Sequence, residues 1–286
     1  MTTNTWIQAA SKGTFSVTPL GRPIYALWAF REPGEETLGV AERAAVLKKH
    51  GYAGFSGFTD QVDDARAYEK EQLLVPGLYF APDASSYEKG SWESMVAPLM
   101  KHYSHDSDIG AVWLDIHSDD PEKRRGAAIQ IIQDAAAWAQ ASGKKVHLYP
   151  HVGCQFPNAC QAVEYLKWAE CEHLGIVFTL YHELLSGSEQ RLEATLVETM
   201  PYVRFFAMSG GVKADDSPYA WKLTTLDRRE YDVRPVLKAL HESERERAIP
   251  IGFYSQHFGG TTDDNLERYM RTWNELTSLL LGEIGI

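Results

Sequence analysis

Three shortages narrow the reading of this 286-residue chain. Cysteine is scarce, with only Cys154, Cys160 and Cys171. Three is an odd number and no two stand in Cys-x-x-Cys spacing, so neither a disulfide framework nor a structural zinc site is expected. Long apolar runs are missing. No stretch reaches 18 apolar residues, so no membrane-spanning helix is expected. The opening MTTNTWIQAASKGTFSV lacks the basic start and apolar centre of a secretory leader. Basic charge is in deficit: 28 Lys and Arg against 39 Asp and Glu leave a net charge of −11. Nucleic acid wants a basic face, and so does an anionic membrane surface, so neither partner is expected. Sparse thiols and no leader make a reducing compartment, the cytoplasm, the expected location.

Several reaction signatures are absent as well. There is no Gly-x-Ser-x-Gly elbow, no P-loop and no Gly-x-Gly-x-x-Gly turn. His182-Glu183 is not followed by histidine at 186, so the His-Glu-x-x-His zinc helix is missing.

What the chain does have is a regular alternation of short apolar runs with longer amphipathic ones. Strands are predicted over 24–30, 53–58, 75–81, 110–117, 145–151, 174–182, 202–209 and 249–256. Helices are predicted over 35–51, 60–73, 91–104, 120–143, 157–171, 188–200, 232–245 and 262–281. Their ends carry chemistry that suits them. Ser91 is placed to cap one helix; Asp120 and Pro121 start another, and Gly143 stops it. Pro235 falls in a first turn, where its missing N–H costs nothing. Residues 210–230 read as a long polar loop. Eight strand–helix units in succession predict an α/β fold, a single (β/α)8 TIM barrel. An open doubly wound sheet usually needs the glycine turn that is absent here. One domain is expected over 1–286, with residues 1–20 as an N-terminal extension.

In such a barrel the working groups sit at the C-terminal strand ends. Four histidines fall there: His117, His151, His182 and His257. Histidine is the side chain best suited to proton transfer near neutral pH. Asp115 ends a strand otherwise made of Ala111, Val112, Trp113 and Leu114, and a charge there needs a partner or a mouth. His151 and His182 are therefore the candidate acid–base groups, with Asp115 and His117 orienting substrate or a histidine. Tyr149, Gln256 and Lys222 are candidates for binding hydroxyls, and Trp28, Tyr254 and His257 for lining the same cleft. His147 shares parity with Tyr149 and His151 but lies deeper, and is read as a structural histidine. Cys154 stands near His151 in sequence, a weak signal for a thiol nucleophile.

The segments VHLYPHVG, LGIVFTLYHELLSG, FFAMSGG and LTTLDRREYDVRPVLKAL, in this order and spacing, make the chain resemble the xylose isomerase-like TIM-barrel superfamily over residues 20–282. That superfamily includes sugar isomerases, sugar-phosphate epimerases and a repair endonuclease branch. The resemblance implies a carbohydrate-sized cleft and, in typical members, one divalent metal on four ligands. Here Tyr149 stands at the strand-five glutamate position and Thr179 at the strand-six aspartate, with His182 as its histidine. The strand-seven histidine is missing from FFAMSGG, and the strand-eight glutamate falls at Tyr254 or Gln256. His182 is the one family ligand retained, so no metal and no other cofactor is assigned from the sequence. A different metal site could draw on His151, His182 and His257 or His117. The resemblance leaves room for a homo-oligomer. The function expected is carbohydrate processing of the isomerase or epimerase type, by acid–base chemistry on a sugar or keto-sugar. The rival expectations are a non-catalytic sugar-binding barrel that has lost its metal, and a keto-sugar lyase or hydratase. The endonuclease branch is disfavoured by the net charge.

Overall fold

The computed structural model describes residues 22–35, 37–57, 65–100, 110–244, 249–255 and 258–283. The expected N-terminal extension, Phe58, the start of the helix expected at 60–73, and the candidates Gln256 and His257 lie outside these residues.

Eight parallel strands form the ring: β1 (Ile24–Leu27), β2 (Gly54–Ser56), β3 (Leu78–Phe80), β4 (Val112–Leu114), β5 (Val146–Leu148), β6 (Ile176–Thr179), β7 (Val203–Met208) and β10 (Ile251–Tyr254). Their order is β2-β1-β10-β7-β6-β5-β4-β3. The seam between the two end strands is closed just before β3. Phe55 N–H donates to Leu74 C=O at 3.0 Å, and Leu74 N–H to Ala53 C=O at 3.0 Å. The α/β barrel read from the alternation is thus the observed fold.

Side-chain alternation divides the apolar residues into two layers. On β4, Val112 and Leu114 face the surrounding helices while Trp113 faces the lumen. On β10, Ile251 and Phe253 face outward and Tyr254 inward. The outer layer meets α1 (Val40–Lys49), α2 (Ala65–Lys70), α3 (Trp92–Met100), α4 (Pro121–Ser142), α5 (Ala159–Trp168), α6 (Leu180–Leu185), α7 (Leu192–Thr199), α8 (Arg234–Glu244) and α9 (Thr262–Glu283). Each fully buried aliphatic or phenyl side chain contributes roughly 1.5–3 kcal/mol relative to exposure. The lumen is filled with rings, chiefly Tyr25, Trp28, Trp113, Tyr149, Phe205 and Tyr254. Two glycines make room for luminal side chains. A Cβ on Gly77 would lie 2.1 Å from the Trp113 ring, and one on Gly252 would lie 2.6 Å from the Leu27 side chain.

Local signals held where chemistry was explicit. Asp120 Oδ1 accepts from Lys123 N–H at 3.3 Å at the start of α4, and Gly143 ends it with φ 68°. Ser91 precedes α3, but its hydroxyl donates backward to Glu88 C=O at 2.7 Å instead of capping the helix. Two expectations are corrected. The sixth strand stops at Thr179, and residues 180–185 turn into α6, so His182 rides on a helix and not on a strand end. The predicted polar loop 210–230 holds an antiparallel hairpin, β8 (Gly210–Lys213) and β9 (Trp221–Thr224). Its inward-facing Leu223 packs on the luminal ring cluster, so the hairpin lies across the C-terminal mouth. Among the described residues no helix is long and apolar enough to cross a membrane.

Candidate active site

The C-terminal end of β4 delivers Asp115 into the mouth, on the same side as Trp113. Its side chain is fully buried. One oxygen, Oδ2, takes all its contacts: the Tyr79 hydroxyl donates to it, Cys154 Sγ lies 3.2 Å away, and His117 Nε2 lies 3.3 Å away. The other oxygen, Oδ1, is buried and meets no donor among the described residues. Burial, then Asp115, push the Tyr79 hydroxyl and the Cys154 thiol far up, so both keep their protons. The hydrogen bond to Asp115 raises His117, which stays half exposed at the rim.

His151 and His182 meet beside this cluster, their ring centroids 4.0 Å apart. They come from different elements: His151 from the loop after β5, His182 from the first turn of α6. Residue 152 orients both. His151 Nδ1 lies 2.8 Å from Val152 C=O, an acceptor, so this nitrogen carries the proton and Nε2 keeps its lone pair. Val152 N–H points at His182 Nδ1 at 3.5 Å, so this ring keeps its proton on Nε2. Burial first, then the neighbouring His151, hold His182 well below the usual histidine range, and it is neutral at pH 7. The pair therefore presents one bare ring nitrogen and one N–H. Cys154 Sγ is 3.5 Å from His151 Nδ1, which links the histidines to Asp115.

Rings wall the same space. Trp28 lies flat on Tyr254, centroids 4.9 Å apart and planes 8° apart, and edge-on to Tyr149 at 5.8 Å. Trp28 holds φ 51° and Phe30 φ 62°, a left-handed backbone rare for bulky side chains. Such strain persists only where the surroundings enforce it, and it concentrates at functional sites. Tyr149 and Tyr254 share a hydrogen bond between their hydroxyls.

The structure thus brings together Asp115, His117, His151, His182, Tyr149, Tyr254 and Trp28. It does not bring Lys222 to them. Lys222 has the opposite parity to the inward Leu223, stands exposed on the outer face of β9, and pairs with Asp216 at 2.6 Å. Other charges of the same region are likewise engaged at the surface, Lys213 with Glu189 and Asp227 with Arg268. His147 sits at the opposite end of the barrel, its Nδ1 donating to Leu174 C=O at 2.5 Å, as a structural histidine would. Sequence reasoning under-read Tyr79 and Cys154. Tyr79 pairs in register with Trp113, so parity already placed it in the lumen; nothing in the sequence folded the loop back to set Cys154 on Asp115.

No protein-family model matches the chain, and no curated protein sequence does. Solved structures do match. A 3-keto-D-glucoside 4-epimerase, YcjR, from E. coli aligns at TM-score 0.64 and 12% identity over 89% of this chain and 99% of that one. The probable 3-DHS dehydratase AsbF from Bacillus anthracis aligns at 0.66 and 11%, over 87% and 98%. A xylose isomerase-like TIM-barrel protein from Mycobacterium smegmatis, solved with magnesium, aligns at 0.62 and 16%, over 93% and 100%. At these identities the likeness establishes the fold alone, a (β/α)8 barrel.

The described residues at the positions where the resemblance would put a metal do not fit one. The Tyr149 and Tyr254 hydroxyls are spent on each other, and burial pushes both far up, so neither supplies an anionic oxygen. Thr179 Oγ1 donates to Pro150 C=O at 2.8 Å. Among the described residues a neutral His182 alone remains at these positions, and divalent ions that favour oxygen ligands want several carboxylates.

Proposed function

We propose that this barrel is an enzyme that moves protons on a small carbohydrate or keto-sugar, in the manner of an isomerase or epimerase. The observation that carries the reading is the His151–His182 pair, with ring centroids 4.0 Å apart and opposite tautomers. A carbon acid beside a carbonyl needs a base at the C–H and a donor at the oxygen where charge develops. His151 Nε2 supplies the lone pair. The Nε2–H of His182 supplies the donor, and its depressed proton affinity keeps it neutral so that it donates without a net charge. The stacked Trp28 and Tyr254 rings form an apolar floor beneath the histidine pair. His117 and Tyr79 hold the Asp115 carboxylate in place at the rim. Two structural neighbours, a 3-keto-D-glucoside 4-epimerase and a probable 3-DHS dehydratase, support the substrate class.

The test is proton exchange. A panel of keto-sugars and their glycosides is incubated with the protein in D2O, and deuterium entering beside the carbonyl is followed by NMR. The wild type is expected to exchange at least one of them. His151→Gln and His182→Gln are expected to lose about 10²–10⁴-fold of that rate, the usual share of a positioned acid or base. Sugars that bind without exchange or turnover would turn the conclusion to a non-catalytic sugar-binding barrel. Unchanged rates in both variants would remove these histidines from the chemistry.

A further inference from the structure

We propose that Asp115, His151 and Cys154 form a binding site for a thiophilic divalent cation of the zinc kind, at the barrel mouth and away from the superfamily's ligand positions. One ligand atom from each lies within 4.8 Å of the others. The edges have the right length. Zinc bonds of about 2.3 Å to sulfur and about 2.0–2.1 Å to nitrogen or oxygen, at tetrahedral angles, set ligand atoms about 3.5 Å apart. The observed separations are 3.5 Å from Cys154 Sγ to His151 Nδ1 and 3.2 Å from Cys154 Sγ to Asp115 Oδ2.

A second observation points to a cation. Asp115 is fully buried, and its Oδ1 meets no donor among the described residues. Burying a carboxylate with one oxygen unserved is costly, and a bound cation removes that cost. The donor set also selects the ion. One thiolate, one imidazole and one carboxylate suit zinc and disfavour magnesium or calcium. Three protein ligands leave a fourth position for water or a substrate oxygen. His117 and Tyr79 both contact Asp115 Oδ2, the oxygen on the Cys154 edge, and so fix the position of the ligating carboxylate. Binding releases the thiol proton of Cys154 to solvent, since the thiolate is the ligand. The site goes beyond the acid–base reading and shares His151 with it. A cation on His151 Nδ1 replaces the bond to Val152 C=O and shifts the ring proton to Nε2, so His151 no longer serves as the base and His182 is left as the proton-transfer group.

The experiment uses cobalt(II) as a coloured stand-in for zinc. The full chain is stripped with a chelator and titrated with cobalt(II) without oxygen. Expected is a thiolate-to-cobalt charge-transfer absorption that saturates at one equivalent per chain and is discharged by zinc. Cys154→Ser should abolish the band, while Cys160→Ser and Cys171→Ser keep it. Asp115→Asn should weaken binding by at least the roughly 10–100-fold that loss of an outer partner costs. If Cys154→Ser does not fold, zinc protection of Cys154 from alkylation in the wild type, located by peptide mapping, gives the same answer. No band and no protection, or a band that survives Cys154→Ser, overturns the site. The readout needs no substrate, so failure of the exchange assay leaves the metal site standing, and absence of the band leaves the acid–base reading standing.

Discussion

His147 should make the fold sensitive to mild acid, by an amount that can be worked out. Its Nδ1 donates to Leu174 C=O, and it lines a cavity of about 350 Å³ at the N-terminal end of the barrel together with Lys145, Arg204 and His173. Burial, with help from the charges of Arg204 and Lys145, pulls it down from 6.5 to about 4. The unfolded chain therefore takes up this proton first as pH falls. The stability at issue is complete above about 6.5 and is lost on the way down to about 4. Between pH 7 and pH 5, linkage gives a loss of about 2 kcal/mol, and water in the cavity would cut it to about 1 kcal/mol. The assay is urea unfolding at both pH values, for the wild type and for His147→Asn, whose amide can still donate to Leu174. The variant need not match the wild type in stability; it should lose about 1–2 kcal/mol less on acidification. The difference between the two proteins is needed because Glu183, raised by burial to about 7, works in the opposite sense over this range. An equal loss in both proteins would refute the role given to His147.

Glu183 yields its own prediction. Its Oε1 accepts from Ala159 N–H at 2.5 Å at the start of α5, while Oε2 is buried with no partner among the described residues. Raised above its unfolded value, it contributes stability below about 4.5 that is lost as pH climbs through about 7. Glu183→Gln keeps the acceptor and removes the charge, so its melting temperature should fall less than the wild type's between pH 5 and pH 8. An identical fall would show that the carboxyl ionises freely. Gly77→Ala should destabilise by about 1–3 kcal/mol or more, because the new methyl group meets the Trp113 ring. Thermal melts decide this, and a neutral result would mean that the indole can move aside.

The barrel was legible because its signal is repeated. Eight strand–helix alternations each point the same way, and a boundary error in one, as at Thr179, leaves the count intact. Asp115 was legible for a sharper reason, a charge ending an apolar strand. Parity sufficed for Tyr149 and Tyr254. It failed for Lys222, because the hairpin that gives residue 222 its outward face was hidden in a segment read as loop. The alternation of Trp221 and Leu223 was present in the sequence, but four-residue strands carry little periodic signal among polar neighbours. Cys154 was out of reach for a different reason. Its contact with Asp115 spans 39 positions and depends on how the loop after β5 turns, which no local pattern encodes.

The two histidine tautomers are set by the main chain of residue 152, and this bears on how the site can drift over evolutionary time. The Val152 side chain takes no part, so that codon is free to wander among nearly all amino acids while the proton arrangement is inherited unchanged. Proline is the exception, since it has no N–H to offer His182. A site instructed by peptide groups leaves little trace of that instruction in the residues themselves. Distant relatives could keep the same polarity of base and donor with no letter in common at the position that enforces it.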